Sequence, residues 1–354
     1  MRLEPVADPG LVRRIGLPAL ALVLTALAGA GLAAIAGADP LATLGQIATG
    51  AAGSRFAILE TLNRATPLIF TGLAVAVAFR ARLWNIGAEA QLYAGALVTV
   101  LIGTGLAGGW ALALPKPALL ALMALAAVAA GALVLLGPVI LKTRAGVDEV
   151  VTTLLLNFVV LLFISLLLEG PLKDPAGMGW PKSPPLDRAA RLPRIVEGLR
   201  LHWGFGLALI AAVAVWVIQT RTTLGFEMRA VGRNAAAARF AGMPVNRVLV
   251  RTALLSGGLA ALAGFSEVAG LKGNLTLDLS PGYGYTGIIV AMLALLHPLG
   301  VVVAAVFVAG VFVGADAMSR SAGVPTYIAD LLLATALLFM VLALQLTRFR
   351  VVRG

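Results

Sequence analysis

The chain has 354 residues, of which 60% are hydrophobic and only 12% charged, with a mean hydropathy of +0.99. An ordinary soluble domain carries roughly twice that share of charge, so the composition excludes one and indicates a polytopic membrane protein. The formal net charge of +11 resides in basic residues that punctuate long apolar runs, which is the pattern of cytoplasmic loops; no nucleic-acid partner is expected.

A helix needs about 20 apolar residues to cross the hydrocarbon core. On that measure ten spans are predicted, at 15–36, 58–79, 84–104, 117–141, 150–169, 204–220, 248–271, 284–297, 299–318 and 326–346. The expected fold class is all-α, a single transmembrane domain over 1–354 built as a bundle of about ten spans, one of them short and broken. Arg13 and Arg14 before the first apolar run resemble the start of a signal peptide. Because many spans follow, the run reads as an uncleaved first transmembrane helix.

The third span opens with the polar string Asn85, Glu89 and Gln91 just after Arg80 and Arg82. In helical form Asn85, Glu89 and Tyr93 share one face through their four-residue spacing. An acid within a span costs a few kcal/mol unless it faces protein or water, so Glu89 is expected to point into the bundle, either beside a solute path or paired with Arg80 or Arg82 at the inner interface. Asn157, one turn after Thr153 in the fifth span, is expected to hydrogen-bond a solute or to join two helices. Glu60 with Arg64, and Asp316 with Arg320, stand four residues apart and read as pairs that satisfy each other.

The segment 170–203 is long, rich in proline and carries six basic and three acidic residues; it is expected outside. The basic loop 221–247 is expected in the cytoplasm. From Arg221 to Arg251 six arginines face a single acid, Glu227. Within it Asn234 can cap a helix, Ala235 to Ala241 form two turns with little entropy to lose, and Gly242 with Pro244 ends them. This is a compact helix outside the bilayer, shaped to enter a groove on a soluble partner. With the N-terminus inside, the threading puts 16 of the 27 Lys and Arg residues on the cytoplasmic side, counting Arg251 at the inner end of the seventh span, and both termini there. Gly257 with Ala261, and Ala260 with Gly264, have the spacing that lets membrane helices approach closely. Glu267 is a further polar intrusion near the outer end of the seventh span. The eighth, beginning among Gly282, Gly284 and Gly287 and stopping at His297-Pro298, reads as a half-crossing helix buried against protein.

No cysteine occurs, and His202 and His297 stand far apart, so no metal site is expected. No cluster of His, Asp or Ser suggests a catalytic residue, and none is assigned. The GxGxxG matches at 103–108 and 282–287 lack the strand-to-helix setting of a dinucleotide site, and Asn274-Leu275-Thr276 is discounted as a glycosylation site. No GxxxxGK[ST] appears, so this chain is expected to bind no cofactor, and energy must come from a partner or a gradient.

Four ordered blocks carry a resemblance. The string WNIGAEAQ at 84–91 resembles FNIGAEGQ; EGPLKDPAG at 169–177, followed by Pro181-Lys182-Ser183-Pro184, resembles an external loop; RAVGRNAAAARFAGMPV at 229–245 and GYGYTGIIVAMLALLHPLGVVVAAVFVAG at 282–310 resemble family-wide blocks. From about Thr61 onward the chain is similar to the membrane permeases of bacterial ABC importers for simple sugars, nucleosides and branched-chain amino acids, with the nucleoside branch nearest. Trp84 where that branch has Phe, Ala90 where it has Gly, and Leu295 to His297 in place of a more polar turn are departures that bear on substrate detail.

The resemblance implies a permease subunit in the bacterial inner membrane. Its implied partners are an ABC ATPase subunit that binds the ATP, a second permease subunit expected to be a different chain, and an external substrate-binding lipoprotein or periplasmic protein. Gly232, Arg233, Asn234, Ala236, Ala237, Arg239 and Gly242 are the residues expected to couple to the ATPase. Asn85, Glu89, Tyr93 and Asn157 are those expected along the translocation path. A ribose-like sugar permease is the alternative, and a gradient-driven transporter, resting on Glu89 and Glu267, a further one.

Overall fold

The computed structural model describes residues 2–5, 10–35, 39–322 and 349–352, with scattered positions from 327 to 347. The described residues are overwhelmingly helical, as expected of a polytopic membrane bundle. They form two compact units, 1–61 with 306–354, and 62–305.

The first unit holds β1 (Arg2–Pro5), α1 (Leu11–Ile35), α2 (Pro40–Ala52), the start of α3 (Arg55–Arg80), most of α12 (Pro298–Ala322) and β2 (Phe349–Val352). Asp39 starts α2 by accepting hydrogen bonds from the Leu41 and Ala42 amides at 2.8 and 3.1 Å, with Pro40 pre-set for the first helical position. No helix was expected there. Two four-residue strands were not expected either: β1 pairs antiparallel with β2, Arg2 opposite Val352, bringing the chain ends together.

The second unit holds the rest of α3, then α4 (Ala88–Gly103), α5 (Lys116–Ala145), α6 (Glu149–Glu169), α7 (Gly204–Arg221), α8 (Thr223–Arg233), α9 (Ala235–Phe240), α10 (Val245–Ser266), α11 (Tyr283–Leu293) and the first turns of α12. Among the described residues six helices are long and apolar enough to cross a membrane, and α4 and α11 are shorter apolar ones. Nine of the ten expected spans thus coincide with helices; the tenth, 326–346, lies outside the continuously described residues.

Its centre is a seam of glycines between α4, α5 and α10. A Cβ at Gly264 would overlap the Leu92 carbonyl, one at Gly95 the Ala261 carbonyl, and Gly131 and Gly257 each occupy the space a side chain of the other would need. Small residues let membrane helices touch backbone to backbone, and α4 and α10 are accordingly buried along most of their length. Beyond Ser266 the α10 backbone continues as a π-helical turn, Glu267–Lys272, ended by Gly273 at φ +75°.

Segment 170–203 does not float free. The Asp187 amide donates to the Gly103 carbonyl at 2.9 Å, Leu186 to Gly273 at 2.7 Å, Ser183 to Leu275 at 2.9 Å and Leu192 to Ala269 at 2.8 Å. These bonds lay the segment across the ends of α4 and of the π-helical turn, opposite the end of the unit that carries α8 and α9.

Candidate functional site

Two places collect the functional candidates. At one end of the unit, Thr222 starts α8 by accepting from the Gly225 amide at 3.3 Å. Asn234 then does two jobs: its amide closes α8 on the Ala230 carbonyl at 3.0 Å, and its Oδ1 accepts from Ala236 and Ala237, both at 3.0 Å, to open α9. Gly242 at φ +81° stops α9, with the Met243 amide returning to the Ala238 carbonyl at 3.0 Å. The capped helix read from the sequence is present, one residue shorter at its end, with Ala241 as the C-cap, and the preceding helix α8 was not foreseen.

Ala238 is the buried side of α9, whereas Ala236, Ala237 and Arg239 are exposed and Phe240 is 96% exposed. Arg233, Asn234 and Gly242 are exposed as well. Gly232 is placed differently: it is buried, and a Cβ there would overlap the Arg80 carbonyl. It fixes α8 against the end of α3 and presents no surface. The Arg229 guanidinium donates to the Gln219 carbonyl at the end of α7, which fastens α8 on a second side.

The other place is the interior. The expected third helix begins four residues late: 81–87 has no helix, and α4 starts at Ala88. Asn85 therefore does not share a helical face with Glu89 and Tyr93, as the spacing suggested. Its amide instead donates to Gln91 Oε1 and Ser256 Oγ, both at 3.0 Å, and Ser256 in turn donates to the Ala74 carbonyl at 2.8 Å. Ser256 lies well inside α10, about 16 Å from its first residue at 1.5 Å per residue, so the chain re-enters the bundle without helical structure and α4 begins at depth.

Such a buried start needs its amides satisfied. Asn157 of α6 supplies this, accepting from the Ala90 amide at 2.9 Å while its own amide donates to the Ile86 carbonyl and to Tyr285 Oη, both at 3.0 Å. Thr153 Oγ1 accepts from the Ile86 amide at 3.3 Å.

The half-crossing helix expected near 284–297 is α11, and it too begins inside the protein. Glu89 Oε2 accepts from the Gly284 amide at 2.7 Å, so the acid meets the partly positive end of α11. It does not pair with an arginine, as one expectation had it: Arg80 turns to Gln219 and to the Leu296 carbonyl. Tyr93 donates to the Leu277 carbonyl at 2.5 Å and accepts from the Ser280 amide at 3.3 Å.

Asn85, Glu89, Tyr93 and Asn157 thus each make buried hydrogen bonds, in separate sets, around the starts of α4 and α11. All four are 3% exposed or less, and the Asn157 amide is bonded to Tyr285, which is 38% exposed. Tyr285 and Ser256 were missed in the sequence because their partners are remote in the chain. Gln91 belonged to the polar string that was noticed.

At the opposite end His202 is fully buried between Gly204 and Gly270, its Nδ1 accepting from the Gly204 amide at 3.1 Å. Burial pushes this imidazole down to about 4. Among the described residues no group of three or more His, Cys, Asp or Glu is placed to hold a metal ion.

The family of branched-chain amino acid transport system permease components matches residues 57–342. The chain is 39% identical to a glucose ABC transporter permease protein of Haloferax volcanii over 95% of its own length and 89% of the relative's. It is 36% identical to the guanosine ABC transporter permease protein NupP of Bacillus subtilis, over 93% of this chain and 94% of that one, and 28% identical to the nucleoside ABC transporter permease protein NupB of Lactococcus lactis, over 93% and 91%. No solved structure matches. With nine helices in the expected places and a match over residues 57–342, this multi-pass membrane chain belongs to the ABC transporter permease family of branched-chain amino acid transport system components, whose members are transport subunits and not enzymes.

Proposed function

We propose that this permease carries nucleosides inward across the bacterial cytoplasmic membrane, delivered by an external binding lipoprotein or periplasmic protein and driven by an ATPase subunit docked at α9. The carrying observation is the exposed, Asn234-capped α9 with Phe240 at its end, standing at the basic end of a bundle whose interior holds two helices that start at depth. The basic loop 221–247 then faces the cytoplasm and 170–203 the outside, with both termini in the cytoplasm. Pairing of β1 with β2 favours placing the two ends on one side. Asn85, Glu89, Tyr93 and Asn157 support the path from behind, and a second permease, a different chain, completes it. Residues 1–354 act as one transmembrane domain in this reading.

Nucleosides are preferred because relatives aligned over nearly the whole chain are named for guanosine and for nucleosides. The partly exposed Tyr285, bonded to the buried Asn157, suits a neutral solute with both hydrogen-bonding edges and an aromatic face. A simple sugar is the second reading, favoured by the 39% identity to a glucose permease.

The test is uptake of radiolabelled guanosine, ribose and glucose into vesicles holding the full complex, with its binding protein outside and ATP inside. Guanosine uptake that needs ATP and survives a proton uncoupler supports the proposal. Uptake of a sugar alone moves the assignment to the second reading, and uptake that persists without ATP but collapses with the uncoupler overturns both.

A further inference from the structure

The turn between α11 and α12 is built from leucines in a conformation that suits glycine. Leu295 has φ +53° and Leu296 φ +59°, consecutive left-handed residues closed by the Leu295 amide on the Met292 carbonyl at 3.0 Å and the Leu296 amide on the Ala291 carbonyl at 2.9 Å. A branched side chain in that region crowds its own backbone, so the conformation persists where neighbours hold it.

The neighbour here is Arg80. Its Nη2 donates to the Leu296 carbonyl and to Gln219 Oε1, each at 3.3 Å. Gln219 is 1% exposed, and its carbonyl receives the Arg229 guanidinium of α8. Gly232 of α8 lies with no room for a side chain against the Arg80 carbonyl. One residue thus touches the end of α7, the helix leading into α9, and the strained turn that terminates α11, whose other end is held by Glu89.

The geometry points to Arg80 as a positioning residue that transmits movement of the α8–α9 loop to the turn at Leu295 and Leu296, and through it to α11. This rests on the reading of α9 as the ATPase-docking element. Arg80 acts in this reading through its contacts with Gln219 and Leu296. It joins α8 to the strained turn, its carbonyl packed against Gly232 of α8 and its guanidinium bonded to the Leu296 carbonyl, so displacement of α9 passes through it to that turn, which lowers its strain by changing backbone conformation. The planar guanidinium serves two acceptors at once, which the compact ammonium of lysine does less well.

The experiment uses the full complex with wild-type permease, Arg80→Gln, Arg80→Lys, Leu296→Gly and the double variant Arg80→Gln/Leu296→Gly. Three quantities are read: ATPase copurifying with the permease, solute taken up per ATP hydrolysed, and the mobility of a nitroxide on a cysteine placed at Leu295, in a chain that has no cysteine of its own, with and without ATP.

Arg80→Gln should retain the ATPase and hydrolysis but lose at least tenfold in uptake per ATP, and the ATP-dependent change at 295 should vanish. Arg80→Lys should fall between. Because glycine removes the strain at 296, Arg80→Gln should cost less in the Leu296→Gly background than alone. Unchanged uptake per ATP in Arg80→Gln, or an unchanged nitroxide response, overturns the inference. If Arg80→Gln does not assemble, Arg80→Lys with wild-type uptake per ATP overturns it equally. Failure of ATP-dependent uptake by the wild-type complex would instead count against the proposed function, while a wild-type nitroxide response to ATP that Arg80→Gln loses would still support the inference.

Discussion

Replacing Phe240 by alanine should weaken docking of the ATPase far more than any neighbouring substitution. The ring is 96% exposed in the isolated permease, so nearly all of its apolar surface is available to be covered by a partner. Fully burying a phenylalanine side chain is worth about 1.5–3 kcal/mol, and each 1.4 kcal/mol is about tenfold in affinity. Phe240→Ala should therefore raise the dissociation constant about 10- to 150-fold. Asn234→Ala should act through a different step. Helix α9 has six residues, too few to form unaided, and losing a cap costs about 1 kcal/mol, or roughly fivefold. The assay is titration of the permease in nanodiscs with fluorescent ATPase, with Met178→Ala, fully exposed on the segment 170–203, as the control that should change nothing. A change below twofold for Phe240→Ala, or an equal loss for Met178→Ala, refutes the argument that α9 presents the docking anchor.

Gly264→Val should abolish or severely reduce folded permease, because its side chain would have to occupy the place of the Leu92 carbonyl; size-exclusion yield checks this, and a normal yield with unchanged thermal stability would contradict the seam. Glu89→Gln keeps an acceptor for the Gly284 amide and should preserve the fold, whereas Glu89→Ala leaves that buried amide unpaired at a cost of about 1–3 kcal/mol, to be compared by thermal melting of the two variants. His202 has a folded pKa of about 4 against an ordinary 6.5. A group whose pKa is depressed by folding contributes stability above its unfolded value, and that stability is lost as pH falls through the window from 6.5 to about 4. At about 1.36 kcal/mol per pKa unit the loss is of order 3 kcal/mol. A His202→Gln variant should flatten the melting temperature across that window, and an unchanged slope would show that other groups govern it.

What the sequence disclosed was what neighbouring residues decide. Helix α9 was legible because its cap, its alanines and its terminating glycine lie within nine residues, and α11 because a short apolar run stands between glycines and His297-Pro298. Helix α2 carried an equally local signal in Asp39-Pro40, but its segment is too short and mixed to register as a span. The late start of α4 was hidden. Nothing in residues 84–91 forbids a helix; the irregular entry exists because Ser256 and Asn157, on helices far along the chain, satisfy the groups that a helix would have satisfied itself. The candidate path residues were found by the cost of placing polar groups in a membrane, which tells that they need partners without telling which. Glu89 met a backbone amide rather than an arginine for that reason.

The glycine seam joining α4, α5 and α10 restricts which parts of this protein can move. Helices that slide or roll past one another do so by exchanging side-chain rotamers at their interface. Gly95, Gly131, Gly257 and Gly264 have no side chains to exchange, and the opposing surface is backbone together with the Ala261 methyl group. A shift of even part of a helical turn would drive backbone into backbone. These three helices consequently travel as one block, and a change of access from one face of the membrane to the other falls to elements outside it, among them α6 and α7, whose outer faces are broadly exposed, and the short α11 suspended between Glu89 and the turn at Leu295.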